Sequence, residues 1–166
     1  MTAHIKNVAL VGASGNLGSL VPKSLIEACR FNITILTRQE SSSSASFPKD
    51  LSITIKQGSY EDPSFLASAF ANIEAVVLAL HWSAVPVTEI HLIEAAAAAG
   101  VRWIFPAEFG SDTGNEVMVS AVPLHPPKIA PRVKAEEVGS RWIGVVTNPW
   151  FDFVSWVASG YLDSDH

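Results

Sequence analysis

The sequence predicts an α/β protein built as a doubly wound parallel sheet of about six strands. Three observations carry that prediction. Short apolar or β-branched runs alternate with segments of helical periodicity along the chain, a pattern that calls for parallel strands with helices on both faces. The first run, Val8-Ala9-Leu10-Val11, contains no polar residue and reads as a strand buried on both sides. It leads directly into Gly12, Gly15 and Gly18, three glycines spaced three apart.

Each glycine has a separate physical reason. Gly12 lets the chain turn sharply out of the strand, because glycine adopts positive φ without a steric penalty. Gly15 presents no side chain to keep a diphosphate from the backbone, and Gly18 lets the following helix lie close on the strand. Free N–H groups at the helix start then face an anion. The spacing Gly-x-x-Gly-x-x-Gly differs from the usual Gly-x-Gly-x-x-Gly of the Rossmann NAD(P)-binding fold. Gly12, Ser14, Gly15, Asn16, Leu17 and Gly18 are the candidate phosphate-contacting residues; glycines required only for packing are the competing explanation.

The remaining elements follow in order. Residues 7–12 form the first strand. A helix after the glycines places Leu17, Leu20, Val21, Leu25 and Ala28 on one face, with Pro22 inside it as a local conflict. Cys29, near its end, is expected to be a small core residue. Ile33–Thr37 is a second strand rich in β-branched residues, and the serine run 41–46 is a solvated loop. Ile53–Ile55 is a third strand ending near Gly58. Asp62-Pro63 opens a helix whose apolar face is Phe65, Leu66, Ala69 and Phe70. Ala75–Leu80, almost without polarity, is a central fourth strand; Val87–Ala99 is a helix closed by Gly100, and Val101–Phe105 a fifth strand. Residues 106–131 carry five prolines and are expected to be irregular. A stretch that long without regular structure points to function or disorder. Arg132–Val138 is a short helix and Ile143–Thr147 a sixth strand.

Composition bounds the rest. The 166 residues suffice for one domain, and 48% hydrophobic against 16% charged residues describes a compact fold with much buried sheet. Net charge is −5, with the 11 Lys and Arg scattered singly, so direct nucleic-acid binding is not expected. A single cysteine excludes an internal disulfide and any cysteine-based metal cluster, and no metal site is predicted. No run approaches the ~18 apolar residues of a membrane span, and the expected location is the cytoplasm.

The end of the second strand selects the cofactor. An acid about 20 residues past the glycines normally holds the adenine ribose hydroxyls. Thr37-Arg38-Gln39 occupies that place and the first acid is Glu40. An acid would repel a 2′-phosphate, whereas a guanidinium grips it with charge-assisted hydrogen bonds. Arg38 therefore favours NADP(H) over NAD; a surface arginine in a loop is the competing reading. Lys56 and Gln57, ending the third strand, are candidates to face the adenine side.

Gly-Ala-Ser-Gly-Asn-Leu-Gly (12–18), Leu-Thr-Arg (36–38), Gly58 with Asp62, and Phe-Pro-Ala-Glu-Phe-Gly-Ser-Asp (105–112) together resemble the isoflavone reductase-like and NmrA-like family of atypical short-chain dehydrogenases. Residues 147–152, Thr-Asn-Pro-Trp-Phe-Asp, resemble the form of the family motif found in fungal members. The resemblance implies NADPH-dependent reduction of a small aromatic or secondary metabolite. It also implies a general acid-base lysine in a Lys-x-x-x-Arg motif beyond the Glu-Phe-Gly loop. Lys128-Ile-Ala-Pro-Arg132 fits that motif and Lys134 does not. A solvated loop lysine, crowded by prolines, is the competing reading of Lys128.

The tyrosine–lysine pair of ordinary short-chain dehydrogenases is absent, since neither Tyr60 nor Tyr161 has a lysine four residues later. His81 and His91 are read as structural and surface residues. Residues 1–153 are expected to form the dinucleotide-binding domain, with 154–166 a remnant of a C-terminal substrate region or a tail. The resemblance implies that most of that substrate region is missing before His166. Exposed aromatics around Trp150, Phe151, Phe153 and Trp156 would then need a protein partner or a second copy. Two further readings stay open: a non-catalytic, dinucleotide-sensing regulatory module, and a truncated family member without activity of its own.

Overall fold

The computed structural model describes residues 4–39, 52–121, 126–148 and 150. Six parallel strands form one sheet in the order β3-β2-β1-β4-β5-β6, the doubly wound arrangement in which chain direction across the sheet reverses between β1 and β4. The strands are β1 Asn7–Val11, β2 Asn32–Arg38, β3 Ile53–Gly58, β4 Ala75–Leu78, β5 Trp103–Phe105 and β6 Arg141–Trp142. The helices are α1 Val21–Glu27, α2 Pro63–Phe70, α3 Val87–Ala98, α4 Glu116–Ala121 and α5 Pro126–Glu137.

Strand β1 is buried on both faces, as its composition requires. Ala9 and Val11 join the core under α2 and α3, with Leu66, Phe70, Leu92 and Ile93. Leu10 points the other way, into a smaller core with Ile33 and Ile35, against which Val21, Leu25 and Ile26 of α1 pack. Helix α2 is capped as Asp62-Pro63 suggested: the Asp62 carboxylate accepts the Ser64 N–H at 2.9 Å, satisfying a donor the helix leaves unpaired.

Four sequence expectations are corrected. The helix after β1 begins at Val21, three residues beyond Gly18, and residues 13–20 form successive turns. Pro22 therefore lies in the first helical turn, where its missing N–H is harmless. Leu20 and Cys29 are exposed, so Cys29 is not a core residue. Residues 106–131 are not irregular throughout: α4 and α5 lie within and across them. In α5, Pro126 and Pro127 occupy the first turn, and Pro131 alone forfeits an internal hydrogen bond, at about 3 kcal/mol. Burial of Pro131 and Ala135 against α3 offsets that loss. Finally, β6 pairs with β5 through Arg141 and Trp142 rather than through residues 143–147, of which Val146 makes one isolated bridge to Gly110. The serine loop 41–46 and the aromatics Phe151, Phe153 and Trp156 lie outside the described residues.

Candidate nucleotide site and its acid-base cluster

A groove of about 790 Å³ opens at the carboxyl ends of β1 to β4, beside the β1/β4 reversal. Such crevices are where open α/β sheets bind ligands. Gly12, Ser14, Gly15 and Arg38 line it, together with Thr37, Tyr60, His81 and Ser83. Gly12 has φ +86°, and a Cβ there would collide with the Ala79 carbonyl, so β1 and β4 meet at the reversal only if this residue is glycine. A Cβ at Gly18 would collide with the Gly12 carbonyl. Gly18 thus closes the turn on itself instead of seating a helix on the strand. Gly15 donates to the Gly12 carbonyl at 3.0 Å, while the backbone N–H groups of Ser14, Asn16 and Leu17 take no acceptor among the described residues. These donors belong to the turns rather than to the first turn of α1. Asn16, Leu17 and Gly18 shape the loop behind the groove but do not line it.

This cradle suits a dinucleotide diphosphate: bare backbone, unpaired N–H donors, and no acidic side chain among residues 12–18. The buried Thr37 hydroxyl in the same wall has no partner among the described residues. Arg38 is exposed at the end of β2, where Gln57 donates to the Gln39 carbonyl at 3.0 Å and steadies the strand end. Lys56 is a correction. The β2/β3 register places it beside Leu36, on the face covered by α2, and its ammonium donates to the Ser68 carbonyl at 2.6 Å, away from the groove. Replacing Gly12 with alanine is expected to destabilise the protein by at least about 1–3 kcal/mol, measured by urea denaturation, because φ and the Ala79 contact both disfavour a side chain.

His81 caps the short turn Trp82–Ala84, its Nδ1 accepting the Ser83 N–H at 3.3 Å. His91 is half-buried rather than a surface residue and donates from Nε2 to the Tyr60 carbonyl at 3.0 Å. The Tyr60 hydroxyl donates to the Leu36 carbonyl at 3.1 Å, and burial pushes its pKa up to about 12, which removes it as a proton acceptor near neutrality.

Beside the groove, past β5, the Pro-Ala-Glu-Phe-Gly segment and α5 assemble a second group. One turn of α5 separates Lys128 from Arg132, so both reach Glu108. Lys128 Nζ donates to the Glu108 carbonyl at 2.7 Å, and Arg132 Nε pairs with the Glu108 carboxylate at 2.9 Å. Arg132 also donates to the Thr113 carbonyl at 2.9 Å and lies 5.0 Å from the Trp142 ring centroid. Gly144 passes over this carboxylate with no room for a Cβ. Burial moves the Lys128 amine below its usual range, opposed by the Glu108 and Glu89 carboxylates. Lys128 is thus half-buried on a helix, not a solvated loop residue.

Sequence reasoning passed over Glu108 and Glu89. Glu89 is 1% exposed in the first turn of α3 and accepts the Ala107 N–H at 2.6 Å. Burial raises its pKa to about 7, opposed by that hydrogen bond and by Lys128. The folded protein therefore holds this proton more tightly than the unfolded chain does. The associated stability is complete below about pH 4.5 and is lost as pH rises through 7, at most about 3 kcal/mol. Urea midpoints should fall between pH 5 and 8, and Glu89→Gln should flatten that dependence.

Residues 4–151 match the model of the NmrA-like family. The Aspergillus flavus oxidoreductase aprR is 30% identical over 149 residues, spanning 87% of this chain and 49% of the relative. The Penicillium oxalicum oxidoreductase poxI is 37% identical over 102 residues, spanning 61% of this chain and 30% of its own. The structure of AtPrR2 with NADP+ and (+)-pinoresinol superposes with a TM-score of 0.73 at 25% identity, covering 87% of this chain and 50% of that one. The chain thus spans about half the length, or less, of the relatives it matches. Among the described residues, no helix is long and apolar enough to cross a membrane, and no three His, Cys, Asp or Glu side chains are grouped to hold a metal ion.

Proposed function

Because the chain belongs to the NmrA-like family, we propose that it is the nucleotide-holding part of an NADP(H)-dependent oxidoreductase that reduces a small aromatic or secondary metabolite. The observation that carries this reading is the groove at the β1/β4 reversal, with its glycine cradle at one end and Arg38 at the end of β2. AtPrR2, a relative by structure, has been solved with NADP+ and an aromatic ligand.

In this reading the Ser14 N–H, beside the bare backbone of Gly12 and Gly15, holds the diphosphate, and Arg38 pairs with the 2′-phosphate. When bound, NADPH supplies the hydride. Lys128 then supplies the proton at its Nζ, because partial burial weakens its hold on that proton while the Glu108 carbonyl fixes the amine in place. Arg132 keeps the Glu108 side chain ion-paired, so that the buried carboxylate does not compete for the same proton. The test is loss of reduced-nicotinamide absorbance with pinoresinol as the first aromatic probe. Turnover with NADPH supports the reading; tight NADPH binding without turnover of any aromatic probe would favour the regulatory alternative.

A further inference from the structure

Glu89 has no part in nucleotide binding as described above, yet it is the most deeply placed acid of the site. It stands at the head of the buried stripe of α3, followed at i+3, i+4 and i+7 by Leu92, Ile93 and Ala96, all fully buried. An acid in that register is costly unless it is bound and serves a purpose. Its carboxylate takes the N–H of Ala107, and the next residue, Glu108, offers its carbonyl to Lys128 Nζ. Glu89 and Lys128 are therefore anchored on the same two-residue stretch, from α3 and from α5. Each also acts electrostatically on the other.

We propose that Glu89 is the positioning residue for Lys128: it fixes the Ala107–Glu108 stretch on which the amine rests and supplies the negative charge that keeps the amine protonated. The inference builds on the role given to Lys128 above. The other charged groups facing this pair are known. Glu108 acts on both members but is neutralised by its ion pair with Arg132, and Asp112 acts on Glu108 from the same loop. Glu89 is the one carboxylate acting on Lys128 without an arginine partner among the described residues. The charge of ionised Glu89 opposes the effect of burial on the amine.

The test reads the amine directly. Acetic anhydride labelling of Lys128 across pH, quantified by peptide mass spectrometry, gives its apparent pKa in the free protein. Glu89→Gln keeps an oxygen for the Ala107 N–H but removes the charge, and should lower that pKa by about one unit. Glu89→Asp keeps the charge with a shorter reach, and should stay near the unaltered value. A purely structural role predicts the reverse ranking, with Gln the milder change. Identical curves for the unaltered protein and Glu89→Gln would overturn the proposal. Should Glu89→Gln fail to fold, the reciprocal variant Lys128→Met must raise the Glu89 carboxyl pKa, read by carbon-13 carboxyl NMR; no change there would overturn the proposal equally. Nucleotide titration of the unaltered chain judges the cofactor reading alone, so the two can fail separately.

Discussion

Replacing Lys128 with methionine is expected to lower NADPH-dependent turnover of an aromatic acceptor by about 10²- to 10⁴-fold, the usual contribution of a positioned acid or base. Nucleotide affinity should hardly change, because Lys128 does not line the groove. Methionine keeps an unbranched apolar stem and removes the ammonium. The hydrogen bond lost at the Glu108 carbonyl should cost about 1 kcal/mol of stability, which a urea titration measures separately. In the unaltered protein the rate should decline as pH rises and Lys128 loses its proton, and burial moves that decline below the range of an ordinary lysine. A rate unchanged in Lys128→Met would remove the amine from the chemistry.

Replacing Arg38 with alanine should weaken NADPH binding by about tenfold to a hundredfold and leave NADH binding within about twofold. Charge-assisted hydrogen bonds to a phosphate contribute about 1.5–3 kcal/mol, and NADH has no 2′-phosphate to lose them. The strand end itself should persist, because Gln57 holds the Gln39 carbonyl independently of the guanidinium. Equal weakening toward both nucleotides would mean that Arg38 supports the β2 end rather than reading the phosphate.

Much of this arrangement was legible in the sequence because the sheet imposes simple constraints. A parallel central strand must be apolar on both faces, and Val8–Val11 is; Asp62-Pro63 and Gly100 mark helix ends for local reasons that tertiary structure did not override. Helix α5 was legible only in its second half, from Arg132 onward. Three of its residues are prolines, and only the core under Pro131 and Ala135, invisible in local sequence, makes the helix worthwhile. Lys56 shows the opposite failure. It was read as ending the strand, but β3 continues to Gly58, and period-two alternation in the β2/β3 register turns it toward α2. Glu89 carried a signal that was present and unread: an acid at the first position of the 89, 92, 93, 96 stripe is on the buried face. Glu108 lay inside the Phe-Pro-Ala-Glu-Phe-Gly-Ser-Asp motif, yet its partners, Lys128 and Arg132, needed α5 to bring them there.

The groove at the β1/β4 reversal is proposed to hold NADP(H). Calorimetric titration of the unaltered chain with NADPH and with NADH tests it most directly. Saturable binding of NADPH at one site, at least tenfold tighter than NADH, is expected. Absence of binding by either nucleotide, or tighter binding of NADH, would contradict it.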